Sequence, residues 1–267
     1  MQNSIYFFNA LRYSVACLVV LPFALNAGWR LEPRLLGMIL LTGVVLFGGA
    51  TFQQWGLAYT TAGNAGFITG LYVVLIPLIS AIFLKRPPRL VIWAATAAAA
   101  AGLFLLSTAG TFRLAPGDGL ELIGAFMWAA HVLLIAWLVQ RVNVFQLALG
   151  QNLACAVLSL LFTVGLEDLS WHSAINLWFP ILYTGVFSIG VGYTLQAFAQ
   201  KEAPPSDAAI ILSMEAVFAA LSGWLFIEER LLPIQLLGCA LMLMAMLLAQ
   251  ADVIRGEVEK PAAPAIG

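Results

Sequence analysis

Residues 63–86, GNAGFITGLYVVLIPLISAIFLKR, and residues 206–229, SDAAIILSMEAVFAALSGWLFIEE, carry the reading of the fold. Each is a nearly continuous apolar run, and about 20 such residues wound as a helix cross about 30 Å of hydrocarbon. A shift of 143 positions lays one on the other, placing Asn64 on Asp207, Ala65 on Ala208, Ile68 on Ile211, Val74 on Val217 and Phe83 on Phe226. Matches this sparse in apolar sequence are weak alone, so the case turns on how the two copies are threaded.

The rest of the chain has the same character. Of 267 residues, 62% are hydrophobic and 9% charged, with mean hydropathy +0.97. Soluble domains carry about 25% charged residues, and no soluble core hides this much apolar surface. Nine runs are long enough to span a bilayer: 5–26, 34–58, 64–84, 90–108, 119–140, 145–166, 177–199, 207–227 and 232–250. They are continuously apolar, not alternating, which predicts helices that satisfy their own backbone hydrogen bonds in lipid. Short cytoplasmic loops are enriched in Lys and Arg. Alternate loops hold Arg30 and Arg34; Lys85, Arg86 and Arg89; Arg141; Lys201; and Arg255 and Lys260, against Arg113 and Arg230 on the other side. This places the C-terminus in the cytoplasm of a cell whose inner membrane holds the chain, and the N-terminus outside. It also places KRPPR (85–89) inside and EERLL (228–232) outside, so the two copies are inverted, as in many secondary transporters.

An inverted repeat needs an odd number of helices per unit, and the offset makes that number five. The fold class expected is therefore an all-α membrane protein: a first repeat over 1–108, a second over 119–250, and a disordered cytoplasmic tail over 251–267. The counterpart of the 119–140 helix falls before residue 1, so nine helices of an expected ten are present. With FFNALRYSVACLVVLPFAL near the start, and PPSDAAIILSMEAVFAALSGWLFIEERL near the end, the chain resembles EamA-type members of the drug/metabolite transporter superfamily. The resemblance implies a ten-helix basket with a central cavity, and export of amino acids, other metabolites or drugs. The helix expected to precede residue 1 would help to wall that cavity.

Charges inside spans cost about 2.5–3.5 kcal/mol at a helix centre, so those present need a reason. Two stand out, Arg12 and Glu215. Glu215 is expected to face the bundle interior, either as a proton-coupling carboxyl or locked in an ion pair, with Arg12 one possible partner. Arg12, on one face with Phe8 and Asn9, offers a planar fork of donors to a substrate carboxylate; snorkelling or helix pairing is the structural alternative. Uncharged polar and aromatic groups recur in the spans: Gln53, Gln54 and Trp55; Thr69 and Tyr72; Trp128 and His131; Gln151 and Asn152; Tyr193 and Gln196. The candidate substrate-binding set is Asn9, Arg12, Gln53, Tyr72, Trp128, His131, Gln151, Asn152, Tyr193 and Glu215, with Tyr72 the repeat counterpart of Glu215; interhelical hydrogen bonding is the alternative for each polar member.

Cys17, Cys155 and Cys239 stand alone in apolar runs and read as buried hydrophobes, and His131 with His172 makes no metal site. Trp29, Trp93, Trp171 and Trp178 read as interface anchors. Gly66 with Gly70, and Gly185, Gly190 and Gly192, permit close helix contact and a possible homodimer. Pro77 is expected to kink its span. No phosphate loop, HExxH or GxSxG occurs, so ATP hydrolysis and common hydrolase chemistry lose their signatures, and no cofactor is implied. A net charge of −1 without a basic patch excludes nucleic acid as a partner. The partners expected are a small-molecule substrate and the lipid bilayer. The rival readings are an intramembrane enzyme on lipid-linked substrates and an inactive transporter remnant.

Overall fold

Local chemistry sets the helix limits. The Thr61 side chain accepts the Asn64 N–H at 3.1 Å, and the Asn143 side chain accepts the Phe145 N–H at 2.9 Å, each taking up a donor that the first turn leaves unpaired. Pro205 and Pro233 open helices where a missing N–H costs nothing. The structure, a computed structural model, describes residues 4–27, 32–83, 85, 87–167, 175–226 and 230–251. Its helices are α1 (Ile5–Asn26), α2 (Pro33–Leu57), α3 (Ala62–Ile82), α4 (Leu90–Thr108), α5 (Asp118–Leu138), α6 (Val144–Leu166), α7 (Trp178–Glu202), α8 (Pro205–Phe226) and α9 (Pro233–Ala249). The first eight are 19 to 25 residues long and α9 is 17, at the short end of the roughly 17–25 residues that span a bilayer. No described residue is in a strand.

Two spans are broken at equivalent places. In α3 the helix is interrupted at Leu71 (φ −61°, ψ −11°), whose N–H turns back to the carbonyls of Ile68 and Thr69. In α8 the interruption is at Met214 (φ −62°, ψ −13°), whose N–H turns back to Ile211 and Leu212. Each residue of the second set is 143 positions beyond its counterpart, so a repeat that is faint in side chains is plain in the backbone. Pro77 lies inside the helical stretch Tyr72–Ile82, and the tightened turn of the span lies earlier, at Leu71. One lost donor is absorbed without ending the helix.

The chain divides into two compact units, Met1–Trp55 with Leu133–Glu202, and Gly56–Val132 with Ala203–Gly267. Each draws helices from both halves of the sequence. In the first, α1 packs against α6 and α7. The Glu167 carboxylate at the end of α6 accepts the N–H groups of Tyr6 (2.8 Å) and Phe7 (2.9 Å), which puts an anion on the positive end of α1 and fixes α1 and α6 as antiparallel. Part of α7, Thr184–Tyr193, is π-helical, and there Gly185 and Gly190 lie against Val15 and Val19 of α1.

In the second unit α4 is the central pillar, packed on α9, α3 and α8. A Cβ added to Gly102 would sit 2.7 Å from the Gly238 carbonyl oxygen, so α4 and α9 meet backbone to backbone. Gly70 makes room for the Leu103 side chain of α4. Gly66 likewise lies beside Ser107 of α4. At the start of α4, Arg89 pairs with Asp207 at 3.0 Å; at its far end, the Gln235 amide donates to the Leu106 carbonyl at 2.9 Å. The KRPPR loop and the Arg230–Leu232 segment therefore stand at opposite ends of one 19-residue helix, about 28 Å long at 1.5 Å per residue. That separation is what inverted copies require. Glu228 and Glu229, the basic-loop residues Arg30, Arg86, Arg255 and Lys260, Trp29, Trp171, His172 and the tail 252–267 lie outside the described residues.

Candidate functional site

In the first unit, two polar stripes face each other across the contact of α1 with α6. Asn9, Arg12, Tyr13 and Cys17 follow one another at helical spacing on α1, and Gln151, Asn152, Cys155 and Ser159 do so on α6. The stripes are in register, since Tyr13 and Arg12 both lie within electrostatic reach of Cys155, and Tyr193 from the π-helical stretch reaches Tyr13. Asn9 and Asn152 have no exposed surface, and both polar atoms of each amide lack a hydrogen-bond partner. Two amides left unsatisfied in a closed interior cost about 1–3 kcal/mol apiece. Arg12 is half-buried; its guanidinium lies over the rings of Phe8 (5.2 Å) and Tyr13 (5.3 Å). Its side chain makes no ion pair or hydrogen bond among the described residues, and its Nε is buried without an acceptor. Gln53 is half-buried on α2, Gln151 is buried, and Tyr193 is half-buried.

The second unit holds Tyr72, Trp128, His131 and Glu215. Tyr72 is buried and directly follows the Leu71 interruption. Trp128 and His131 share a face of α5, their rings 5.8 Å apart and edge to face. Glu215 directly follows the Met214 interruption; its surface is accessible, yet the surrounding protein desolvates the carboxyl. The half-helix that it begins buries only Val217 and Gly223, so packing secures one edge of it and leaves the rest open. Its carboxylate has no ion-pair partner among the described residues.

The carboxyl that is enclosed is one the sequence reading passed over. Glu121, in the first turns of α5, has no exposed surface. Its Oε2 accepts the Thr69 hydroxyl at 2.6 Å, whereas its Oε1 is buried with no partner. Gly56 leaves the room: a Cβ there would come within 2.6 Å of the Glu121 side chain. One turn earlier, Asp118 is fully provided for, accepting the Thr60 hydroxyl, the Asn64 amide at 3.3 Å and the Ala115 N–H at 2.8 Å, while Asn64 also donates to the Arg113 carbonyl at 2.8 Å. The signal was present as D-G-L-E at 118–121, two carboxylates three apart between glycines at the head of an apolar run.

A model of the EamA-like transporter family matches residues 2–108 and again 115–250. The chain belongs to that family. An uncharacterized transporter of Archaeoglobus fulgidus is 36% identical to it over 251 residues, covering 92% of this chain and 77% of that protein. The threonine/homoserine exporter RhtA of Salmonella typhimurium is 29% identical over 175 residues, covering 64% of this chain and 58% of that protein's length. A solved crystal structure superposes with a TM-score of 0.80 at 21% identity, over 95% of this chain and 90% of the other, a likeness of fold. As an EamA-like transporter this chain is a multi-pass membrane protein. The doubled family match falls on either side of the loop before Asp118, and the twin interruptions at Leu71 and Met214 fall one in each half.

Proposed function

We propose that the chain is a secondary transporter that exports small zwitterionic or anionic metabolites of the amino-acid class across the inner membrane by alternating access, with its C-terminus cytoplasmic. One observation carries the reading: among the described residues Arg12 has no counter-ion in its apolar span, and Asn9 and Asn152, on the same facing stripes, have buried and unsatisfied amides. A substrate carboxylate on the Arg12 fork, with its remaining polar groups on the two amides, supplies what the helices do not. Gln53, Gln151 and Tyr193 complete the lining of this unit; Tyr72, Trp128, His131 and Glu215 belong to the second. RhtA's substrates, threonine and homoserine, are of the class that this arrangement suits. The paired interruptions supply discontinuous helices of the kind that frame substrate sites in other transporters.

The test is counterflow in proteoliposomes with a panel of labelled neutral and acidic amino acids that includes threonine and homoserine. Saturable exchange of at least one supports the reading. Wild-type vesicles that exchange none of the panel contradict it, and turnover of a lipid-linked substrate by the same vesicles would favour the intramembrane-enzyme alternative.

A further inference from the structure

Of the two carboxylates at the head of α5, Asp118 is saturated with donors and Glu121 is not. Enclosed in a span, a carboxylate with a single donor and no cation beside it among the described residues is poorly stabilised as an anion, whereas the neutral acid carries no net charge into the span. The Glu121 contact also falls at a mechanically special place. Thr69, its donor, lies two residues before the interruption of α3, and the Thr69 carbonyl is one of the two that accept the Leu71 N–H. From the observations together we infer that Glu121 with Thr69 is the site that carries the coupling proton of transport, loading and unloading it against the broken helix α3. The inference rests on the transporter reading above.

The surroundings fit a proton better than a metal cation. The groups facing Glu121 are the Thr69 hydroxyl from α3, Gly56 at the end of α2, and Asp118 on its own helix. Asn64 of α3 and the loop bearing Arg113 are engaged with Asp118 and with each other. Two carboxyl oxygens and one hydroxyl fall short of the six or more oxygens that a hard cation such as calcium gathers, and a proton needs one. The step is simple: a proton from water adds to a carboxylate oxygen, the charge in the span falls by one, and the reverse on the other side restores it. Loss of charge weakens the charge-assisted bond from Thr69, so occupancy bears directly on the turn that Thr69 closes.

The test has a substrate-free arm and a transport arm on the full chain in lipid. In the first, infrared difference spectra across a pH titration follow the carbonyl stretch of protonated carboxylic acids in wild type, Glu121→Gln and Glu215→Gln. The expected result is a titrating band that Glu121→Gln abolishes and Glu215→Gln retains; a band that survives Glu121→Gln overturns the assignment. If Glu121→Gln does not assemble, loss of the band in Glu215→Gln overturns it and full retention supports it. In the second arm, labelled L-threonine is the probe. An imposed pH gradient is expected to drive accumulation in wild type and at least tenfold less in Glu121→Gln, while threonine counterflow, which moves no net proton, persists. Accumulation that follows a sodium gradient, or gradient-driven uptake undiminished in Glu121→Gln, overturns the coupling role. If wild type moves no threonine but the band behaves as stated, the proton site stands and the substrate reading falls.

Discussion

Replacing Arg12 by Gln is the most informative single change. The guanidinium lies over the faces of Phe8 and Tyr13 and has no carboxylate partner among the described residues, so its removal strands no buried anion, the usual source of large losses when an ion pair is cut. The protein should keep its detergent melting temperature. What it loses is a charge-assisted hydrogen bond to substrate, worth about 1.5–3 kcal/mol; at about 1.4 kcal/mol per factor of ten, half-saturation should rise about 10- to 100-fold. Arg12→Lys keeps the charge but not the planar fork and should fall between. The assay is concentration-dependent threonine counterflow in proteoliposomes, with matched protein orientation. A half-saturation constant within twofold of wild type would refute the reasoning, as would a melting temperature that collapses with Arg12→Gln.

Three further outcomes follow from the packing. Glu167→Ala removes the acceptor of two α1 N–H groups; a cap of this kind contributes about 1–2 kcal/mol, so thermal unfolding in detergent should come earlier and hydrogen exchange at Tyr6 and Phe7 should quicken. Gly102→Leu forces side-chain atoms into the Gly238 carbonyl and the Met242 backbone and should cost more than about 1–3 kcal/mol, seen as loss of the monodisperse elution peak, while Gly119→Ala, where nothing lies within 4 Å of the added carbon, should be silent. Arg89→Ala leaves the nearly enclosed Asp207 carboxylate without its 3.0 Å partner; the double variant Arg89→Ala with Asp207→Asn should recover part of the stability lost, which a double-mutant cycle by thermal unfolding would measure.

Much of this architecture is legible in the sequence because lipid removes alternatives. A span must be about 20 apolar residues in helical form, and the observed helices begin and end within a few residues of the apolar runs. The polar stripe of α1 is legible for the same reason, since Asn9, Arg12 and Tyr13 repeat at three and four. Other features depend on which helices meet. The interruption at Leu71 has no marker in its own residue type, and Pro77, the nominal breaker, sits inside a continuous segment. Which helices Gly70, Gly185 and Gly190 admit, α4 for the first and α1 for the other two, is set by the packing and not by the residue type. Glu121, near a helix start, is enclosed because Gly56 at the end of α2 and Thr69 of α3 lie against it, an arrangement that its own stretch of sequence does not announce. Depth along the chain is a weak guide to enclosure when neighbouring helices do not end at the same level.

The account rests on two copies threaded through the bilayer in opposite senses, with α4 separating their closing loops. Single cysteines introduced at Pro88 and at Leu231, in a chain with Cys17, Cys155 and Cys239 replaced, can be challenged in intact cells with a membrane-impermeant thiol reagent. The account predicts that Leu231→Cys reacts from outside and Pro88→Cys reacts only after the membrane is opened. Reaction of both from the same side would contradict it.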